Sequence, residues 1–209
     1  MKFVLRLLVL FVFLLAGIVF VKEYWEQGAD GIRKITNTNR GGLANTEVNY
    51  GSEVDRIANE FGLPAHYLKA LIVLECSGRK KVPSRYEKHV FNRLKKVREG
   101  KKAIYEGITR ENIKDASDEA LKNLASSWGP FQLMGYQCLK LGINVSDVRG
   151  PEAIYWGVKW INEEYGYKLR QGKFDHAFRM HNTGSPTGRT HDPNYTKNGA
   201  RYMEYFSVK

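Results

Sequence analysis

Acidic side chains are scarce in this 209-residue chain: 22 Asp and Glu stand against 33 Lys and Arg, a formal net charge of +11. That imbalance favours an anionic partner, whether nucleic acid, acidic lipid or an anionic cell-wall polymer. The basic residues do not make a nucleic-acid reader, however. Pairs such as Lys80-Lys81 and Lys95-Lys96 are scattered among acids and form no recognition helix, so no nucleic-acid partner is expected. Cysteine occurs twice, at Cys76 and Cys138, and His176, His181 and His191 share no ligand spacing on one helix face. This excludes a zinc module, and no metal or other cofactor is expected. There is no internal repeat, which argues against a solenoid.

The chain does have one long apolar run. Phe3 to Val21 is interrupted only by Arg6. As a helix it spans about 28 Å at roughly 1.5 Å per residue, near the thickness of a bilayer core. Lys2 and Arg6 at its start place the N-terminus in the cytoplasm by the positive-inside rule. A cleaved signal peptide is the rival reading, but no clean small-x-small site follows the run. The expectation is a single-pass helix over 1–21 in a bacterial inner membrane, with the rest of the chain in the periplasm or cell exterior. Residues 22–50, rich in Gly, Asn, Thr and charge, are expected to be a flexible tether. Residues 51–209 then form one folded unit, with 43% hydrophobic and 26% charged residues across the chain marking it as globular. Outside the cytoplasm the two cysteines are free to pair, and a pair of buried thiols is the equal alternative.

From Ser52 onward the periodicity is helical. Ser52 caps a helix bearing Val54, Ile57, Ala58 and Phe61, ended by Gly62. Pro64 opens a second, with Leu68, Leu71 and Ile72 on one face and an end near Gly78. Ser117 caps a short helix with Leu121 and Leu124. Further helices are predicted after Pro130 (Met134, Cys138, Leu141), after Pro151 (Ile154, Val158, Ile161), around Phe174 to Phe178, and around Tyr202 and Phe206. Lys80 to Tyr86 lacks a period and reads as a loop or small hairpin. The predicted architecture is a mainly α domain with short connections.

Glu75 continues the Leu68, Leu71, Ile72 stripe at helical spacing, so its carboxyl belongs to the core-facing side. A carboxyl held there has its pKa raised, because burial penalises the charged form. A Glu that keeps its proton near neutral pH is suited to protonating a glycosidic oxygen. The bland alternative is a helix-ending Glu paired with Arg79 or Lys80. Three more elements carry small or polar groups at chain ends: Glu75-Cys76-Ser77-Gly78, Ser127 to Gly135, and Met180-His181-Asn182-Thr183-Gly184, with Tyr202 downstream.

In this order they resemble the lysozyme-like superfamily, in particular its SLT-type lytic transglycosylases. Glu75 with Ser77 matches that family's Glu-Ser element, Gly129 to Gln132 its Gly-Leu-Met-Gln, Asn182 with Gly184 its Ala-Tyr-Asn-x-Gly, and Tyr202 its Tyr. Cys76 is inserted, Pro130-Phe131 replaces Leu-Met, and His181 stands where Tyr is usual. Arg85 to Phe91 and Ser127 to Gly135 are similar to the N-acetylmuramidases of phage and bacterial lysins.

The resemblance implies a lysozyme-like (goose-type/SLT) helical domain behind the membrane helix, acting on peptidoglycan glycan strands at the MurNAc-β-1,4-GlcNAc bond. It gives Glu75 the role of acid and then base. Gln132 and Asn182 would bind the sugar, and Ser77 and Tyr202 would orient the carboxyl or the acetamido group. Trp128, at a turn, is a candidate stacking platform for a pyranose. A hydrolase pairs its acid with a second carboxylate, and Glu87 is the candidate. Without one, a lytic transglycosylase uses the substrate's own 6-hydroxyl. A peptidoglycan-binding module that has lost the chemistry is the alternative of another class.

Overall fold

The computed structural model describes residues 41–208. These are mainly α-helical. The first helix, α1, occupies 41–61 and breaks at Gly62, whose φ of +60° suits a residue without a side chain. Residues 41–50, expected in the tether, are therefore helical, and Leu43 is buried in the core. Helix α2 (Ala65–Cys76) follows with Pro64 as its N-cap residue. Seven consecutive residues, Tyr67 to Val73, are buried. A helix covered on every side is a central one, so the single apolar stripe read from the sequence understates its burial. Even Lys69 lies inside, 7% exposed, held by Asp55 at 2.9 Å and Glu47 at 3.2 Å. The C-terminal helix α9 (Tyr195–Ser207) packs along α2.

A second cluster of apolar side chains lies under α3 (Lys88–Arg98), α4 (Arg110–Ile113) and α5 (Asp118–Leu124), built from residues such as Val90, Leu94, Ile108, Leu121 and Tyr136. Ser117 caps α5 as expected, accepting from the Ala120 N–H at 3.1 Å. The sequence reading did not anticipate α3. It also missed the hairpin of β2 (Ile104–Tyr105) and β3 (Ile108–Thr109), whose two-residue turn places Glu106 and Gly107 at positive φ.

A small antiparallel sheet has the order β1-β4-β5, with β1 at Arg85–Tyr86, β4 at Ser126–Trp128 and β5 at Leu133–Met134. The expected helix after Pro130 is thus corrected: residues 129–132 turn β4 back into β5, and α6 (Gly135–Leu141) begins only afterwards. Gly129 makes that turn feasible. Its φ is +71°, and a Cβ there would lie 2.1 Å from the Val148 carbonyl oxygen. Helix α7 (Ala153–Arg170) is kinked at Tyr165, next to Gly166, and α8 (Phe174–Thr183) ends at Gly184 with φ +73°.

No helix among the described residues is long and apolar enough to cross a membrane. Twelve-residue α2 is apolar but short, and 18-residue α7 carries charges from Lys159 to Arg170. The expected helical domain behind a transmembrane helix is corrected to a mainly α domain. The inner membrane as a partner and the single-pass placement have no support in this fold. The run over 1–21 and the expected tether over 22–40 lie outside the described residues.

Candidate functional site

Glu75 is the last residue but one of α2. Beyond it Ser77 takes a left-handed conformation (φ 53°) and returns its N–H to the Val73 carbonyl. The turn is tied down from α1: Asn49 Nδ2 donates to the Gly78 carbonyl at 2.7 Å, and the Tyr50 hydroxyl donates to that of Arg79, also at 2.7 Å. The helix end, and the carboxyl it carries, is thereby fixed.

Only 16% of the Glu75 side chain is open to solvent. Burial pushes its carboxyl up to about 7, against the weaker opposing pull of a hydrogen bond from Tyr195 and the positive charge of Arg85. The Tyr195 hydroxyl donates to Glu75 Oε1. That hydroxyl keeps its proton, since burial and the adjacent carboxylate raise its pKa far above the ordinary range.

His181 is the second neighbour, its Nε2 3.7 Å from Glu75 Oε1 and its side chain 5% exposed. Burial lowers its pKa to about 4, so the ring is neutral at pH 7. Its partners assign the tautomer. Nε2 lies 3.0 Å from the Phe131 carbonyl oxygen, which can only accept, so Nε2 carries the hydrogen. Nδ1 is then the acceptor, and the Tyr165 hydroxyl donates to it at 2.7 Å. A neutral His181 brings no cation to Glu75, consistent with the raised carboxyl.

His181 also lines a cleft of about 430 Å³. Gln132, Tyr165, Trp160 and Asn182 form the same wall, and Glu87, His89, Tyr105 and Lys140 line it from α3, β2 and α6. Glu75 itself is not among the lining residues; it adjoins the cleft through His181, and 16% of its side chain stays open to solvent. Gln132 sits at positive φ (48°), unusual for a residue with a side chain. It is secured by the Ser127 hydroxyl, which donates to Oε1 at 2.7 Å, and by the Gly129 carbonyl, 3.1 Å from Nε2. Asn182 lies at the exposed end of α8, where its Oδ1 accepts from the His191 N–H at 3.3 Å.

The other sequence candidates separate. Glu87 reaches the cleft, but its Oε1 is paired with Arg85 Nε at 2.9 Å, and His89 Nδ1 lies 3.6 Å from Oε2. Trp128 does not line this cleft. Its indole N–H donates to the Asn123 carbonyl at 2.8 Å, and its ring lies under the Arg149 guanidinium at 4.4 Å. Tyr202 is half-buried on α9, and Tyr195, seven residues earlier on the same helix, is the tyrosine that meets Glu75. The sequence did carry a signal for this, since residues seven apart share a helix face. Cys76 and Cys138 are both free and buried, with thiols pushed up to about 11 and about 12 by burial. No cluster of metal-ligating side chains occurs among the described residues.

No protein-family model matches the chain, and no curated protein or solved structure resembles it at a significant level. The lysozyme-like fold and the transglycosylase and muramidase family membership expected from the motifs therefore find no support in these comparisons.

Proposed function

We propose that this domain cleaves peptidoglycan glycan strands at the MurNAc-β-1,4-GlcNAc bond by a lytic transglycosylase route, with Glu75 as general acid and then base. The observation that carries the reading is the Glu75 carboxyl. It is largely buried and pushed up to about 7, is oriented by Tyr195, and keeps 16% of its side chain open to solvent beside His181, which lines a cleft of about 430 Å³.

In the first step Glu75 gives its proton to the glycosidic oxygen as the bond to C1 of the muramic acid residue breaks. The departing glucosamine leaves with a hydroxyl. In the second, the Glu75 carboxylate takes the proton of the muramic 6-hydroxyl, O6 bonds to C1, and a 1,6-anhydro end forms. The proton returns to Glu75, so the enzyme is regenerated. Gln132 and Asn182 are the sugar-binding groups of this reading, and Tyr195 positions the carboxyl.

Glu87 favours this route over hydrolysis. A carboxylate paired through one oxygen with Arg85 at 2.9 Å is held as a counter-ion and is less free to attack C1 or to activate water. Mass spectrometry of soluble products from purified sacculi tests the proposal. Anhydro-muramic ends released by the wild type and not by Glu75→Gln are expected. Reducing ends would point to a hydrolase, and undiminished release by Glu75→Gln would overturn the role of Glu75.

A further inference from the structure

The turn that carries Gln132 has its other end in a second cleft. Gly129 and Pro130 line a cavity of about 530 Å³, together with Lys80, Lys81 and Arg149. Gly129 and Gln132 are three peptide units apart, at most about 11 Å along the chain. The rims of the two clefts therefore come within about 11 Å of each other along the turn whose Phe131 carbonyl holds His181.

Their chemistry differs. The second cleft presents three cationic side chains against one carboxylate, Glu53. Arg149 is exposed, with its guanidinium 4.4 Å from the centre of the Trp128 ring, a contact that restrains a group well suited to a fork with a carboxylate. Lys80 and Lys81 follow directly on Arg79, whose carbonyl is fixed by Tyr50 and whose Nε donates to the Cys76 carbonyl at 3.0 Å. The first residues of α7 complete the wall and add the positive end of a helix dipole. N-acetylglucosamine has no use for this charge. A peptide substituent on the muramic lactyl group does, because it carries carboxylates out from the sugar ring.

We propose that Lys80, Lys81 and Arg149 form a subsite for a carboxylate of the strand's peptide substituent, making the enzyme selective for peptide-bearing glycan. This rests on the glycan-cleaving reading above. It gives Trp128 a role the sequence did not suggest: it supports the arginine and does not stack on sugar.

The test compares the wild type with the triple variant Lys80→Ala, Lys81→Ala, Arg149→Ala, all exposed positions. The substrates are peptide-bearing strands and the same strands stripped of peptide by an amidase, which keep only the short lactyl carboxylate beside the ring. The expected result is a KM raised about tenfold or more on peptide-bearing strands, with kcat preserved and stripped strands cleaved as by wild type. Equal losses on both substrates would mean general attraction to a polyanion and would overturn the subsite, as would no loss on either. Free stem tripeptide, titrated while following Trp fluorescence, separates this from the parent reading. If the wild type cleaves neither substrate, the glycan reading fails, and saturable tripeptide binding lost in the triple variant still supports the subsite. Absence of such binding overturns it.

Discussion

The Tyr195 hydroxyl donates to Glu75 Oε1 across 120 residues of sequence, joining the first turn of α9 to the last turn of α2. The bond stabilises the charged carboxylate and so restrains the upward push of burial. Removing it in Tyr195→Phe raises the Glu75 pKa further. The acid form then persists to higher pH, and the alkaline limb of the kcat/KM profile moves upward from its expected place near pH 7. The rate at the optimum falls roughly tenfold to a hundredfold, as a less well oriented acid implies. A profile with an unmoved alkaline limb, measured on a soluble glycan substrate, would separate Tyr195 from Glu75.

Glu75 and His181 impose opposite pH dependences on stability. The carboxyl is raised from 4.5 to about 7, so the folded state holds more protons than the unfolded one across that window, and stability falls as pH rises through it. The imidazole is lowered from 6.5 to about 4, so stability rises with pH between those values. The two partly cancel from about 4.5 to 6.5, and the carboxylate cost is felt in full only above about 7. Glu75→Gln keeps an acceptor for Tyr195 and removes that cost. The variant is expected to match the wild type at pH 4 and exceed it by about 1–3 kcal/mol at pH 8. Thermal melts at the two pH values read this as a gain of several degrees at pH 8 only. A variant equally or less stable at pH 8 would mean the carboxyl is not buried as described.

Glu87 separates the two chemical routes. If it serves as counter-ion to Arg85, Glu87→Gln keeps the shape of the cleft wall and loosens one ion pair. Activity then falls by less than about tenfold, and anhydro products persist. If it were the second carboxylate of a hydrolase, the loss would reach about a thousandfold or more. Product analysis beside initial rates decides between them.

Much of the helical skeleton was legible because local signals wrote it: Gly62 stopping α1, Pro64 opening α2 and Ser117 capping α5. The stretch from Met180 to Thr183, which reads as a polar turn, instead continues α8. Glu75 was legible through its place on an apolar stripe. What escaped depended on distant partners. Residues 129–132 and Met134 have helical-looking spacing, but strand pairing of β4 with β1 and β5 outweighs it. Tyr195 and Tyr202 share a helix face, and only the packing of α9 on α2 chooses between them. His181 stood out as an unusual residue beside Asn182, yet its neutral tautomer follows from Phe131 and Tyr165, 50 and 16 residues away. Trp128 looked like a sugar platform because a turn exposes it, and Arg149, from another loop, claims its ring.

Gly157 offers a way to disturb the site from outside it. This residue of α7 lies against Phe131, and a Cβ there would approach Phe131 Cδ2 to 2.2 Å. Phe131 is 1% exposed and has little room to retreat, so Gly157→Ala overpacks the core by about 1–3 kcal/mol. Any shift of Phe131 moves the carbonyl that fixes His181, and His181 lies against Glu75. Gly157→Ala should therefore lower the melting temperature by several degrees and reduce kcat more than it alters KM. Gly41→Ala supplies the control, since that helical position has open space around it and the change there is expected to be neutral or stabilising by up to about 1 kcal/mol. If the two variants melt together and cleave alike, the coupling from Gly157 through Phe131 to His181 does not exist.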